Sequence, residues 1–94
     1  MKVKIKGFLT YKASLGQQEL ELDDQDQPTL RGLLTRLFPD GLAGDALYDA
    51  VTGSLDRRLV VLVSGRHYSH LSQGLDTRLK DGDEVAIFPP MAGG

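Results

Sequence analysis

Three groups of residues in this 94-residue sequence are of types that do chemistry. His67 and His70 flank Tyr68, with Ser64 just upstream, a grouping that would suit a metal ion or an acid–base pair. No carboxylate stands at ligand spacing within that segment, and no third member completes a nucleophilic set with Ser64 and His67. The histidines therefore read as loop or interface residues. Asp81, Asp83 and Glu84 resemble a cation loop, but further spaced ligands are lacking and Gly82 sits among them, so they read as turn chemistry and no metal site is expected. The third group is Gly93-Gly94 at the C-terminus. Glycine at both positions removes the Cβ atoms that would block a narrow channel. It also leaves the terminal carboxylate open to attack on ATP.

A strand must deliver that carboxylate. Val85, Ala86, Ile87 and Phe88 follow the turn as a last strand, and Pro89-Pro90, which cannot donate to a ladder, end it. Met91-Ala92-Gly93-Gly94 then project as a flexible tail, and the six residues from Pro89 could reach roughly 20 Å at about 3.3–3.6 Å each. At the other end of the chain, Val3, Ile5 and Leu9 alternate with Lys4, Lys6 and Thr10, which predicts a half-buried strand with Phe8 on its outward set. Lys2, Lys4 and Lys6 form the solvated side of an edge strand. A second alternation over Gln18–Asp23 turns Leu20 and Leu22 inward, and Ser14-Leu15-Gly16-Gln17 supplies the turn of an N-terminal hairpin.

Pro28 and Thr29 offer a helix start, followed by Leu30, Leu33, Leu34 and Leu37 at i, i+3, i+4 and i+7. Gly32 inside that helix implies either close packing on the sheet or simple tolerance. Pro39 and Gly41 stop it. Leu42–Leu55 carries a weaker amphipathic pattern punctuated by Gly44 and Gly53, which predicts a short second helix. Leu59-Val60-Val61-Leu62-Val63 is apolar and β-branched, and reads as the central strand, buried on both faces.

The class of protein is bounded by composition. Eleven Lys and Arg against thirteen Asp and Glu leave a net charge of −2, which argues against nucleic acid, whose binders cluster a basic excess on one face. Apolar residues at 40% support a folded core of one domain, too small for a deep enclosed active site. Cys is absent, so a disulfide, a thiolate metal site and a catalytic thiol are excluded. Sulfur chemistry must use other atoms. No apolar targeting or membrane segment stands out, and a cytoplasmic protein with no membrane partner is expected.

The stretch Leu79-Lys80-Asp81-Gly82-Asp83-Glu84-Val85-Ala86-Ile87-Phe88-Pro89-Pro90-Met91-Ala92-Gly93-Gly94 resembles the C-terminal signature of the molybdopterin synthase small subunit and its sulfur-carrier relatives. The resemblance implies an α+β, β-grasp (ubiquitin-like) fold, a mixed β-sheet packed against one main helix, with residues 1–94 as one domain and 89–94 as its extended tail. It implies a carrier rather than an enzyme. An ATP-dependent adenylating enzyme would activate Gly94, sulfur from a sulfurtransferase would replace the AMP, and the Gly94 thiocarboxylate would deliver it, with no bound cofactor on this chain. In the molybdenum-cofactor branch, Pro89, Pro90, Met91, Ala92 and Gly93 would thread into the large subunit of molybdopterin synthase. There the sulfur would go to cyclic pyranopterin monophosphate, and the catalytic side chains would be the partner's. By the same match Phe88, with Phe8 nearby, would lie on the sheet surface pressed against partners.

Met91 stands where such tails commonly have Val, and the stretches Asp40–Arg58 and His67–Gly74 differ from compact members. Those departures leave other readings open at this stage. The carrier could serve thiamin, amino-acid or tungsten-cofactor synthesis, Gly94 could end in an isopeptide bond as a ubiquitin-like modifier, or the domain could be a binding module with an inert tail.

Overall fold

The N-terminal alternation becomes strand β1, Lys2–Gly7, in the computed structural model, which describes residues 1–9, 12, 15–38, 48–49, 54–56 and 58–89. Val3 and Ile5 are fully buried between exposed Lys2 and Lys4, the period-two pattern of a strand with one face on a core. Strand β2, Gln17–Glu21, returns antiparallel, with Lys2 opposite Glu21 and Lys6 opposite Gln17. The predicted hairpin is present. Leu22 is buried and Leu20 half-buried, as expected, but Leu9 is not turned inward. β1 stops at Gly7, and Leu9 takes a left-handed backbone (φ +55°) that swings its side chain into solvent, 58% exposed.

Helix α1, Leu30–Leu37, begins where predicted. The Thr29 Oγ1 accepts the Gly32 N–H at 3.1 Å, satisfying one of the donors a helix start leaves without an internal partner. Leu30, Leu33 and Leu34 pack against Val3, Ile5, Val61, Val85 and Ile87 to make the core. Gly32 is exposed, and a Cβ there would meet only Thr29 Oγ1 at 3.5 Å, so close packing does not require it. Phe38 closes the helix, its N–H donating to the Leu34 carbonyl at 2.8 Å. Pro39 and Gly41 lie outside the described residues.

The expected second helix over Leu42–Leu55 is replaced, where that segment is described, by two short antiparallel strands, β3 at Tyr48–Asp49 and β4 at Ser54–Leu55. The apolar spacing there is too sparse to hold a helix against Gly53, which stands immediately before β4, and Tyr48 pairs across to Leu55 instead. The rest of that segment is outside the described residues.

β5, Val60–Val63, β6, Arg66–His67, and β7, Glu84–Phe88, complete a five-stranded mixed sheet in the order β2-β1-β7-β5-β6. Three expectations are corrected here. The central strand is β7, not β5: β7 runs parallel to β1 and antiparallel to β5. β5 fully buries one face only, with Val61 and Val63 in the core with the leucines of α1 and Val60 and Leu62 half-buried. β1 is likewise interior, so its lysines do not line an edge. They meet acids on the neighbouring strands, Lys2 with Glu19 at 3.9 Å and Lys6 with Glu84 at 3.1 Å. Among the described residues no helix is long and apolar enough to cross a membrane.

Candidate functional site

The last strand is held on both sides. Ile5 pairs with Val85 and Gly7 with Ile87 on the β1 side, while Val63 pairs with Val85 and Val60 with Phe88 on the β5 side. Val85 and Ile87 are fully buried, so both ladders and the core fix the backbone that leads to the tail. The ladder with β1 continues one residue past its last pair, the Phe8 N–H donating to the Ile87 carbonyl at 3.0 Å. That bond places Phe8 beside Phe88. Their rings stack with centroids 4.3 Å apart and planes 8° from parallel, Phe88 half-buried and Phe8 36% exposed. Pro89 follows, buried. Pro90, Met91, Ala92, Gly93 and Gly94 lie outside the described residues.

The opposite end of β7 is polar and closed on itself. Asp83 accepts the Ser64 hydroxyl at 2.9 Å and the Lys80 N–H at 2.8 Å, and Asp81 accepts the Lys2 N–H at 2.7 Å. Gly82 makes the turn at φ +88°. The two aspartates therefore act as turn chemistry, each with its carboxylate already bonded to neighbouring chain.

Ser64 and His67 are not brought together as a nucleophile and base, since the Ser64 hydroxyl goes to Asp83. His67 instead caps the 3₁₀ turn Tyr68–His70, its Nδ1 accepting the Ser69 N–H at 3.1 Å with the Ser69 Oγ 2.8 Å away. Its ring stacks on Tyr68 at 4.7 Å. Among the described residues no three metal-ligating side chains converge. Near the start of β5, Arg58 grips Asp56 through Nε to Oδ1 at 3.1 Å and Nη2 to Oδ2 at 3.0 Å, and its N–H adds a bond of 2.8 Å. These hydrogen bonds, side chain first, hold the Asp56 carboxyl down at about 2.

Phe8 lies outward as the alternation predicts and Phe88 beside it as the resemblance implies, but nothing in the sequence marks Leu9 as exposed. The alternation that predicts it inward continues through a residue whose backbone leaves the strand.

The description "ThiS family" belongs to the family model that matches residues 5–94 of this chain. Small archaeal modifier protein 3 of Haloferax volcanii is 36% identical over 96 residues, covering 100% of both chains. The solution structure of the Haloferax volcanii HVO 2177 protein is similar at 35% identity and a TM-score of 0.76, over 100% of this chain and 87% of that one. A Pyrococcus furiosus structure provisionally described as molybdopterin converting factor, subunit 1, is 30% identical with a TM-score of 0.63, over 96% of this chain and 98% of its own.

Proposed function

The chain belongs to the ThiS family, and from that membership we propose that it is a carrier whose Gly94 carboxylate is activated by a partner enzyme and converted to a thiocarboxylate. Its relatives are ubiquitin-like β-grasp carriers and modifiers, not enzymes. The observation that supports the reading is the position of β7. The strand that leads to Gly94 is the middle strand of the sheet, held by a ladder on each side, and the stacked Phe8–Phe88 pair stands beside its end.

The chemistry needs little from this chain beyond delivery. A carboxylate is a poor electrophile. Attack by the Gly94 carboxylate on the α-phosphorus of ATP releases pyrophosphate and leaves a mixed anhydride, from which a sulfur nucleophile displaces AMP. Exclusion of water by the adenylating enzyme protects that anhydride. Phe88 and Phe8 dock on the partner, and Pro89, Pro90, Met91, Ala92 and Gly93 carry Gly94 to its active site. The recipient pathway we favour is molybdopterin synthesis, with the large synthase subunit as acceptor. Its supports are the Phe-Pro-Pro-to-Gly-Gly signature and the similarity to the Pyrococcus furiosus protein.

A second reading has its own support in the relative named as a modifier. There a lysine amine displaces AMP and forms an isopeptide bond. One experiment separates the two. The chain is incubated with a cognate activating enzyme and ATP, once with sulfide and once with cell extract. An intact-mass gain equal to exchanging oxygen for sulfur supports the carrier, and Gly94-dependent adducts on extract proteins support the modifier. Neither product, from an enzyme that charges a known carrier, contradicts both.

A further inference from the structure

β2 is an edge strand with one side open. It pairs with β1, and among the described residues no other strand lies against it. The flanking bonds fix which of its groups face out. Leu22 and Met1 exchange bonds of 2.7 and 2.8 Å, and the Gly7 N–H donates to the Gly16 carbonyl at 2.8 Å. Alternation along an antiparallel ladder then turns Gln18 and Leu20 toward β1 and points the N–H and C=O groups of Gln17, Glu19 and Glu21 away from it. The side chains of those three residues lie on the face away from α1, since Leu20 and Leu22 pack on the helix side.

Beside this edge, on the helix side, is a groove. Its volume is about 430 Å³, and Leu22, Asp23, Pro28, Gly32, Leu33 and Arg36 line it. The fold does not need glycine at Gly32, where a Cβ would meet only Thr29 Oγ1 at 3.5 Å. Glycine weakens a helix relative to alanine, and its missing side chain here keeps the groove open.

The strand already on the inner side of β2 shows what this edge accepts. β1 reads Lys2-Val3-Lys4-Ile5-Lys6, with lysines opposite Gln17, Glu19 and Glu21 and apolar residues opposite Gln18 and Leu20. The outer side offers the same two rows. The Glu19 side chain stays 49% exposed beside Lys2, and that of Glu21 70% exposed beside the N-terminal amine. A strand added outside would stand about 5 Å from these carboxylates and about 10 Å from the lysines of β1, beyond the roughly 8 Å over which salt screens charge. A second copy of β2 suits the edge poorly, because full antiparallel pairing sets the two Glu19 carboxylates opposite each other.

We infer that the outer edge of β2, with the groove beside Gly32, is a docking site for an extended segment of a partner protein in which Lys or Arg alternates with apolar residues. The segment adds a strand to the sheet: its cations meet Glu19 and Glu21, and an apolar side chain beside Leu22 enters the groove. β1 separates this site from β7, and the inference does not rest on the charging of Gly94.

The test titrates the full isotope-labelled chain with the capped peptide Lys-Val-Lys-Ile-Lys-Val-Lys, and separately with Lys-Lys-Val-Ile-Val-Lys-Lys, which has the same composition without the alternation. The alternating peptide is expected to shift the amide signals of Gln17, Glu19 and Glu21, to slow their hydrogen exchange, and to bind about tenfold or more tightly than the other. Glu19→Gln with Glu21→Gln is expected to weaken it about tenfold, and Gly32→Leu to weaken it several-fold while melting no lower than wild type. Equal binding of the two peptides overturns the inference, since net charge alone would then be at work. So does undiminished binding by either variant, a response confined to β6 at the other edge, no binding at millimolar peptide, or sedimentation showing that β2 pairs with a second copy instead.

Discussion

The two ends of β7 are built from opposite materials. At the Glu84 end, Asp81, Asp83 and Ser64 close a set of hydrogen bonds onto Lys2 and Lys80, and their polar atoms are bonded within the chain. At the Phe88 end, two stacked aromatic rings, an exposed leucine and an exposed lysine face outward, and the backbone bond from Phe8 to Ile87 joins them to the strand. One strand thus has an end that stabilises the fold and an end that is available to a partner. The separation matters because a change at the outward end is then expected to cost the sheet less than a change at the Glu84 end.

Substitutions at the two ends should have opposite signatures. Phe88→Ala is expected to weaken binding to the activating enzyme by about 2–4 kcal/mol, the range of an interface anchor, while a smaller part of the effect appears as lost stability. Titration calorimetry against the enzyme, paired with urea unfolding, measures both. At the other end, Asp83→Ala removes acceptors for Ser64 and Lys80 and is expected to lower unfolding free energy by about 1–2 kcal/mol, with the charging KM unchanged. If Asp83→Ala altered the KM as much as Phe88→Ala, the division between the two ends would fail.

The smallest effect concerns the Asp56–Arg58 fork near the start of β5. Because hydrogen bonds from Arg58 lower the Asp56 carboxyl from 3.8 to about 2, its contribution is full above about pH 4 and is lost as pH falls through 2. Asp56 is solvent-facing, so the contribution is small. Asp56→Asn should remove that part of the acid dependence of stability and leave partner binding unaltered, as followed by circular dichroism from pH 5 to pH 2.

How much of this was legible follows from the range of each signal. Local periodicity located the hairpin and α1, because Val3 and Ile5 and the leucines of α1 bury one face of each element, and the turn at Gly82 with the prolines after Phe88 bounded the last strand. Pairing between distant segments left no such trace. Nothing in Glu84–Phe88 announces that it lies between β1 and β5, and the longer apolar run at Leu59–Val63 looked more central than it is. The strands at Tyr48–Asp49 and Ser54–Leu55 are too short to show a period of two, so a scattered set of Ala and Leu imitated a helix. The Gly-Gly terminus and the signature before it were legible as a motif. The turn at Leu9 was not, since a left-handed leucine has no sequence cue.

The claim on which the account depends is that the Phe88 end of β7 delivers the Gly94 carboxylate to an adenylating active site. The direct measurement is isotope exchange between pyrophosphate and ATP, catalysed by a cognate activating enzyme in the presence of wild-type chain or of chain lacking Gly94. The account predicts exchange with wild type and none with the shortened chain, whose circular dichroism and melting should match wild type. Equal exchange with both chains, or none with wild type from an enzyme that charges another carrier, would contradict it.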